Sequence, residues 1–192
     1  MNKITLILIL TMTSMFSQEK LPFYQIPEVP DEISSTNIMA RMVQGLGFRF
    51  HWATDDLSEK DLKYRPSKDA LSNFETIKHI YNLSNTIYNS IRNSPNIKSE
   101  KKVPNDYKNL RRETLNNLKL TSEAFESFND EHLKNIKIIF QGKSGNYEFP
   151  IWNLINGPIS DAIYHTGQLV SFRRTSGNPI PKGVNVFLGV KK

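Results

Sequence analysis

The chain contains no cysteine. Disulfide bridges, thiolate metal centres, a cysteine nucleophile and a lipid-modified N-terminal cysteine are all excluded. Past its first residues it also lacks an apolar run of the roughly 20 residues that a membrane-spanning helix needs. Internal repeats and low-complexity segments are missing too. A further absence concerns the arrangement of charge. The formal balance is +6, yet the basic residues are scattered through "IKSEKK", "RRE", "NIKI" and "GVKK". No basic stripe is interleaved with aromatics, as single-strand binders require. Nucleic acid is therefore not the expected partner, and the charge reads as a solvated surface that favours anionic ligands.

What is present suits one globular domain with an extension, given 192 residues and ordinary apolar content. The opening "MNKITLILILTMTSMFSQEK" has a positive start at Lys3, an apolar run from Ile4 to Leu10, then small and polar residues. That is the layout of a secretory signal peptide over residues 1–17, with cleavage near Ser17–Gln18; the alternative is an uncleaved N-terminal anchor. The protein is accordingly expected to be exported, periplasmic or secreted, with no membrane contact once the signal is removed. Residues 18–35 carry Pro22, Pro27 and Pro30 and read as an extended arm. Residues 36–192 form the domain.

Within the domain, Ile38, Met39, Met42, Val43, Leu46, Phe50, Ala53 and Leu57 recur at helical spacing, so helix one should run from Asn37 to Leu57. "SEKDLKYRPSKDALS" follows as a turn-rich connector, in which Ser58 and Asp61 have the spacing of a capping box. Ser72 caps helix two, with Phe74, Ile77, Ile80, Leu83, Ile87 and Ile91 on one face. Asn105 or Asp106 opens helix three, whose stripe runs from Tyr107 to Phe128. Ile136–Phe140 and Tyr147–Phe149 flank the turn "QGKSGN" and read as a small β-hairpin. Helix four starts around Pro150–Trp152 and continues to Thr175, bent at Gly157–Pro158 because Pro158 has no N–H for the Leu154 carbonyl. The tail from Ser176 onward should be packed coil or short strand. The fold class is all-α: a four-helix bundle with a hairpin between helices three and four.

The chemistry concentrates in "ISDAIYHTGQLVSFRR" of helix four. Asp161 and His165 lie one turn apart and share a face with Gln168 and Phe172. Such a pair can be an i,i+4 ion pair, a buried histidine held by a carboxylate, or two donors to one metal ion. His79 on helix two borders the apolar face and is either a core-edge histidine bonded to a backbone carbonyl or a third donor. Two histidines and one carboxylate leave positions free for water or substrate. Glu75, four residues before His79, is either an acceptor that orients its imidazole or a surface charge. His51 is a helix-face or pocket residue, and His132 in "NDEHLKN" is solvated. Gly167 is expected to serve helix packing. Arg173 and Arg174 either reach an acidic substrate or offset the helix C-terminal dipole. Trp52, Trp152, Tyr81, Tyr88 and Tyr164 are pocket or core aromatics.

A histidine on the second helix followed by "DAIYHTGQLVSFRRTSGNP" resembles the DinB-like metal-binding four-helix bundles, over about Asn37 to Thr175. That family's final helix carries two histidines four apart, then Gly-Gln and a basic run. "HTGQ" at His165–Gln168 matches, whereas Asp161 stands where the earlier histidine would be. The resemblance implies a bundle holding a divalent ion (Zn, Ni, Mn or Fe) on His79, Asp161 and His165. Members of that family include thiol-dependent transferases and isomerases; here the expectation is a metal-dependent hydrolase or transferase acting on a small-molecule substrate, or else a non-catalytic metal-stabilised or ligand-binding bundle, with a homodimer through one bundle face as an option. A carboxylate in place of histidine favours hard or borderline ions over soft ones.

Overall fold

Ser34 begins the first helix: its hydroxyl accepts the Asn37 N–H, and helix α1 runs Ser35–Ala53. The computed structural model describes residues 20–97 and 103–192, so the signal segment 1–17 lies outside the described residues. Helix α1 stops short of Leu57 because Asp56 adopts a left-handed φ of 50°. The carbonyls freed at its end find other donors. Arg111 donates to His51 O and Arg173 donates to Trp52 O, Ala53 O and Asp55 O. The arm before α1 is docked rather than free. Leu21 and Phe23 pack on the core, and Gly47 of α1 leaves no room for a Cβ against the Phe23 ring.

The connector expected to hold only turns contains a short helix, α2 (Glu59–Lys63), with the Ser58–Asp61 capping box in place. Helix α3 (Asn73–Ser90) carries a second capping box between Ser72 and Glu75. A two-residue strand, β1 (Pro95–Asn96), precedes helix α4 (Tyr107–Ser127), which Asp106 caps. One further short helix, α5 (Asp130–Asn135), is capped by Asn129 and occupies what the sequence presents as a polar connector. The expected hairpin follows as β2 (Lys137–Gly142) and β3 (Gly145–Pro150), with Ile138 opposite Phe149 and Phe140 opposite Tyr147. Strand β1 adds to β2 in parallel, and the Asn96 amide donates to Ile139 O at 3.0 Å.

The last long segment is three pieces: α6 (Trp152–Leu154), a π-helical turn (Ile155–Ile159) and α7 (Ser160–Ser176). The break falls at the Gly157–Pro158 pair, where Gly157 leaves helical geometry at ψ −106°. Ser160 Oγ donates to Ile155 O at 2.6 Å and helps re-satisfy the distorted turn. Gly177 at φ 91° closes α7 in the left-handed conformation that glycine adopts without Cβ strain. The tail forms a small hairpin, β4 (Val184–Asn185) against β5 (Val190–Lys191).

Helices α4 and α7 each pack against both α1 and α3, so α1 and α3 face one another across the core. Val43, Leu46, Phe50, Ile77, Ile80, Leu115, Leu118 and Leu169 fill that core with no exposed surface. The described chain is thus mostly helical with small strands.

Candidate metal centre

The apolar stripes of α3 and α7 dictate where their polar residues fall. On α3, Ile77 and Ile80 are fully buried, which leaves His79 at the edge of the core. On α7, Ala162, Thr166 and Leu169 face inward. Asp161 and His165 therefore project from the flank of α7 toward α3, and α3 and α7 are in contact. The Ile155–Ile159 turn also packs on α3 and fixes the start of α7 there.

The result is a cluster. His79 Nε2 lies 3.2 Å from Asp161 Oδ2, and His165 Nε2 lies 3.3 Å from Asp161 Oδ1. One donor atom from each of His79, Asp161 and His165 lies within 4.8 Å of the others. The two imidazoles meet edge to face, with centroids 4.5 Å apart at 84°. Two donors bonded to one ion at about 2.1 Å stand roughly 3.0–3.4 Å apart, so the His–Asp separations fit shared coordination.

The protonation pattern fits as well. His165 Nδ1–H donates to Gln168 Oε1 at 2.8 Å. That leaves the Nε2 lone pair facing Asp161, the arrangement by which an outer hydrogen bond orients a ligating imidazole. Gln168 sits three residues after His165, so the same helical turn supplies ligand and orienting group. The side chains of His79 and Asp161 are 39% and 43% exposed, against 16% for His165. The cluster thus lies on the solvent-facing seam between α3 and α7, not inward in the helical core, where a bundle's facing helices are expected to point their ligands. The interior positions at this level are already taken by Ile77, Ile80, Ala162 and Thr166. An ion held on this open seam would be accessible to water or a small ligand.

Other residues raised by the sequence fall elsewhere. Glu75 does not reach His79. Its carboxylate accepts from Ser72 N–H and Oγ–H and from Arg65, each at 2.8 Å. Those N-cap bonds hold its carboxyl below the ordinary range, aided by the Arg65 charge. His51 is 5% exposed and its Nδ1–H donates to Pro22 O at 2.7 Å. Burial pushes its pKa below the ordinary imidazole value. It anchors the arm and lines no part of the cluster. His132 is exposed on α5, stacked on Phe128 at 5.1 Å. Gly167 does not serve packing: it is exposed, and a Cβ there would meet nothing within 4 Å.

Arg173 is turned inward rather than toward solvent. It is 2% exposed and spends its guanidinium on the carbonyls that end α1 and on Asn178. No sequence signal nearby marks its hold on α1, because the Trp52, Ala53 and Asp55 carbonyls lie 118–121 residues away. Arg174 is exposed. Trp52 and Tyr81 are buried, the latter donating to Glu113 at 3.0 Å, whereas Trp152 and Tyr164 are 73% and 65% exposed. Tyr164 lies beside the cluster, its ring centroid 5.3 Å from that of His165. A groove of about 550 Å³ lined by Ser35, Ile38, Leu133, Ile151, Trp152 and Ile155 among others includes none of the three donors.

Comparison with known proteins finds the same architecture elsewhere. A crystal structure of a DinB-like protein, YjoA of Bacillus subtilis, superposes with a TM-score of 0.56 at 17% identity, over 75% of this chain and 95% of that one. No protein-family model matches the chain. No curated protein matches it either. The chain has a DinB-like fold, with a His/Asp cluster that could hold a metal ion.

Proposed function

We propose, from the DinB-like fold and its His/Asp cluster, that this chain is an exported four-helix-bundle protein holding one divalent ion on His79, Asp161 and His165. In this reading it carries out hydrolysis or group transfer on a small molecule. The observation that carries the proposal is the convergence of three donors from two helices, His79 and Asp161 standing 82 residues apart in sequence. Two imidazoles and one carboxylate suit Zn, Ni, Mn or Fe. Bound there, such an ion would polarise a substrate oxygen or lower the pKa of a water ligand toward neutrality.

The chain's own residues have narrower tasks. Gln168 keeps the His165 Nδ1 proton and turns Nε2 toward the cluster. Asp161, in hydrogen-bonding reach of both imidazoles, is committed as a ligand and is not free to act as base. Glu75 is committed to the α3 cap. Export rests on the N-terminal pattern of Lys3 and the Ile4–Leu10 run.

A second reading is a metal-stabilised bundle without turnover. Its support is that the ligands join α3 to α7, so an ion would pin two helices through the linkage of binding to folding. The two readings separate in one assay. The full chain, loaded with Zn, Mn, Ni or Fe, is screened against ester, amide and thiol-acceptor substrates with and without chelator. Turnover that chelator abolishes and His165→Ala lacks supports the enzyme. Metal-dependent melting with no turnover supports the pin.

A further inference from the structure

The C-terminal hairpin between β4 and β5 presents three consecutive apolar side chains to solvent. Val186 is 47%, Phe187 93% and Leu188 52% exposed. Isolated exposed apolar residues are ordinary, but a contiguous triad on a tip is not. Nor is this tip loosely held. Asn185 Oδ1 accepts the N–H of both Phe187 and Leu188 at 3.0 Å, and Gly189 N–H donates to Asn185 O at 2.8 Å. Its root is fastened to the arm: Ile26 N–H donates to Gly189 O at 2.8 Å, and a Cβ on Gly189 would meet Ile26 at 2.7 Å. The fold therefore spends hydrogen bonds to keep Phe187 pointing into water.

The C-terminal segment is itself basic, and the depression beside it is lined by Lys20 and Arg111 with one acid, Asp55. From Gly177 to Lys192 the sequence has Lys182, Lys191 and Lys192 and no acid. Lys191 sits over the Trp52 ring at 5.7 Å and Lys20 over the Tyr24 ring at 4.0 Å. Those two rings are 5.0 Å apart, so the lysines gather on one aromatic patch beside the hairpin.

We propose that the Val186–Leu188 tip is a membrane-docking element that inserts shallowly into a bilayer whose anionic headgroups pair with Lys20, Lys182, Lys191 and Lys192. Apolar side chains flanked by lysines combine the two forces that hold proteins at membrane interfaces. A second copy of the chain is a poorer occupant. Three side chains offer far less than the roughly 800 Å² per partner of a stable interface, and the lysines would repel their counterparts. The sequence pattern alone leads one to expect no membrane contact after signal removal; the exposed tip argues for peripheral contact that needs no spanning helix. This inference is independent of the metal centre.

The test is vesicle co-sedimentation of the full chain, with Phe187→Ser and the double variant Lys191→Gln/Lys192→Gln alongside. Vesicles are pure phosphatidylcholine or phosphatidylcholine mixed with phosphatidylglycerol. Phe187 touches no core residue's place in the fold, so helical circular dichroism should not change. The wild type should bind the mixed vesicles and bind the neutral ones weakly. Phe187→Ser should weaken binding roughly tenfold, and each lost lysine roughly fivefold, with the electrostatic part fading in high salt. Equal binding by wild type and Phe187→Ser overturns the proposal, as does indifference to lipid charge. Lipid-free self-association that Phe187→Ser abolishes also overturns it, because the occupant is then a second copy.

Discussion

Gln168 decides how His165 presents itself. With its Nδ1 proton held at 2.8 Å by the Gln168 carbonyl, the ring turns Nε2 toward Asp161. Gln168→Ala should therefore lower metal affinity roughly 10–100-fold while leaving the fold intact. Competition against a chromogenic chelator measures this, and an unchanged affinity would mean that the glutamine plays no orienting part. The Asp161–His165 pair was legible in the sequence because i,i+4 spacing within α7 is a local fact; His79, 82 residues from Asp161, meets them only through the packing of α3 on α7. The task of Glu75 was not legible, although the same rule puts it one turn before His79. Ser72 and Glu75 have the spacing of a capping box, and that bond claims the carboxylate. Gly167 misled in a different way: a glycine inside a helix looks like a close-packing point, but only the neighbours' positions show the space around it to be empty.

At the scale of elements, long stripes were readable and single turns were not. Helices α1, α3 and α4 each bury residues at repeated spacings of three and four, which a sequence displays directly. Helices α2 and α5 span 5 and 6 residues, too few to show a stripe. Strand β1 exists through its pairing with β2 and has no pattern of its own. The bend before α7 was legible because proline lacks the donor that an unbroken helix uses. The cap of α3 supplies this scale's prediction. Ser72→Ala removes the hydroxyl that accepts Glu75 N–H and should cost about 1 kcal/mol in urea unfolding. Metal affinity should not change, since neither Ser72 nor Glu75 touches the cluster. A parallel loss of metal binding would return Glu75 to the site.

Across the whole molecule, one polar knot ties distant segments together. Asp61 of α2 is 3% exposed and accepts from Ser58 N–H, Ser176 Oγ–H and Asn178 Nδ2–H at 2.8–3.0 Å. Arg173 joins Asn178 to the end of α1. Burial alone would push the Asp61 carboxyl up, but the hydrogen bonds from Ser58, Asn178 and Ser176 together outweigh it and hold the pKa at about 2. A depressed carboxylate contributes stability that is present above its ordinary 3.8 and is lost as pH falls through about 2. That contribution is about 2 kcal/mol near neutrality. Asp61→Asn should therefore flatten the decline of unfolding free energy between pH 4 and 2 by about that amount. An identical pH profile in the two proteins would show that the knot is not ionised as described. Beyond the Ser58–Asp61 capping box, no local pattern announces this knot, because its other members meet only after α1, α2 and α7 have packed.

The central claim is that α3 and α7 bring three donors around one cation, and elemental analysis of the purified chain, after exposure to Zn, Ni, Mn or Fe and removal of free ion, tests it most directly. The account predicts one ion per chain in the wild type, with loss of that ion in His79→Ala, Asp161→Ala and His165→Ala and no loss of helical circular dichroism. A wild type that retains no ion, or alanine variants that keep theirs, would contradict it.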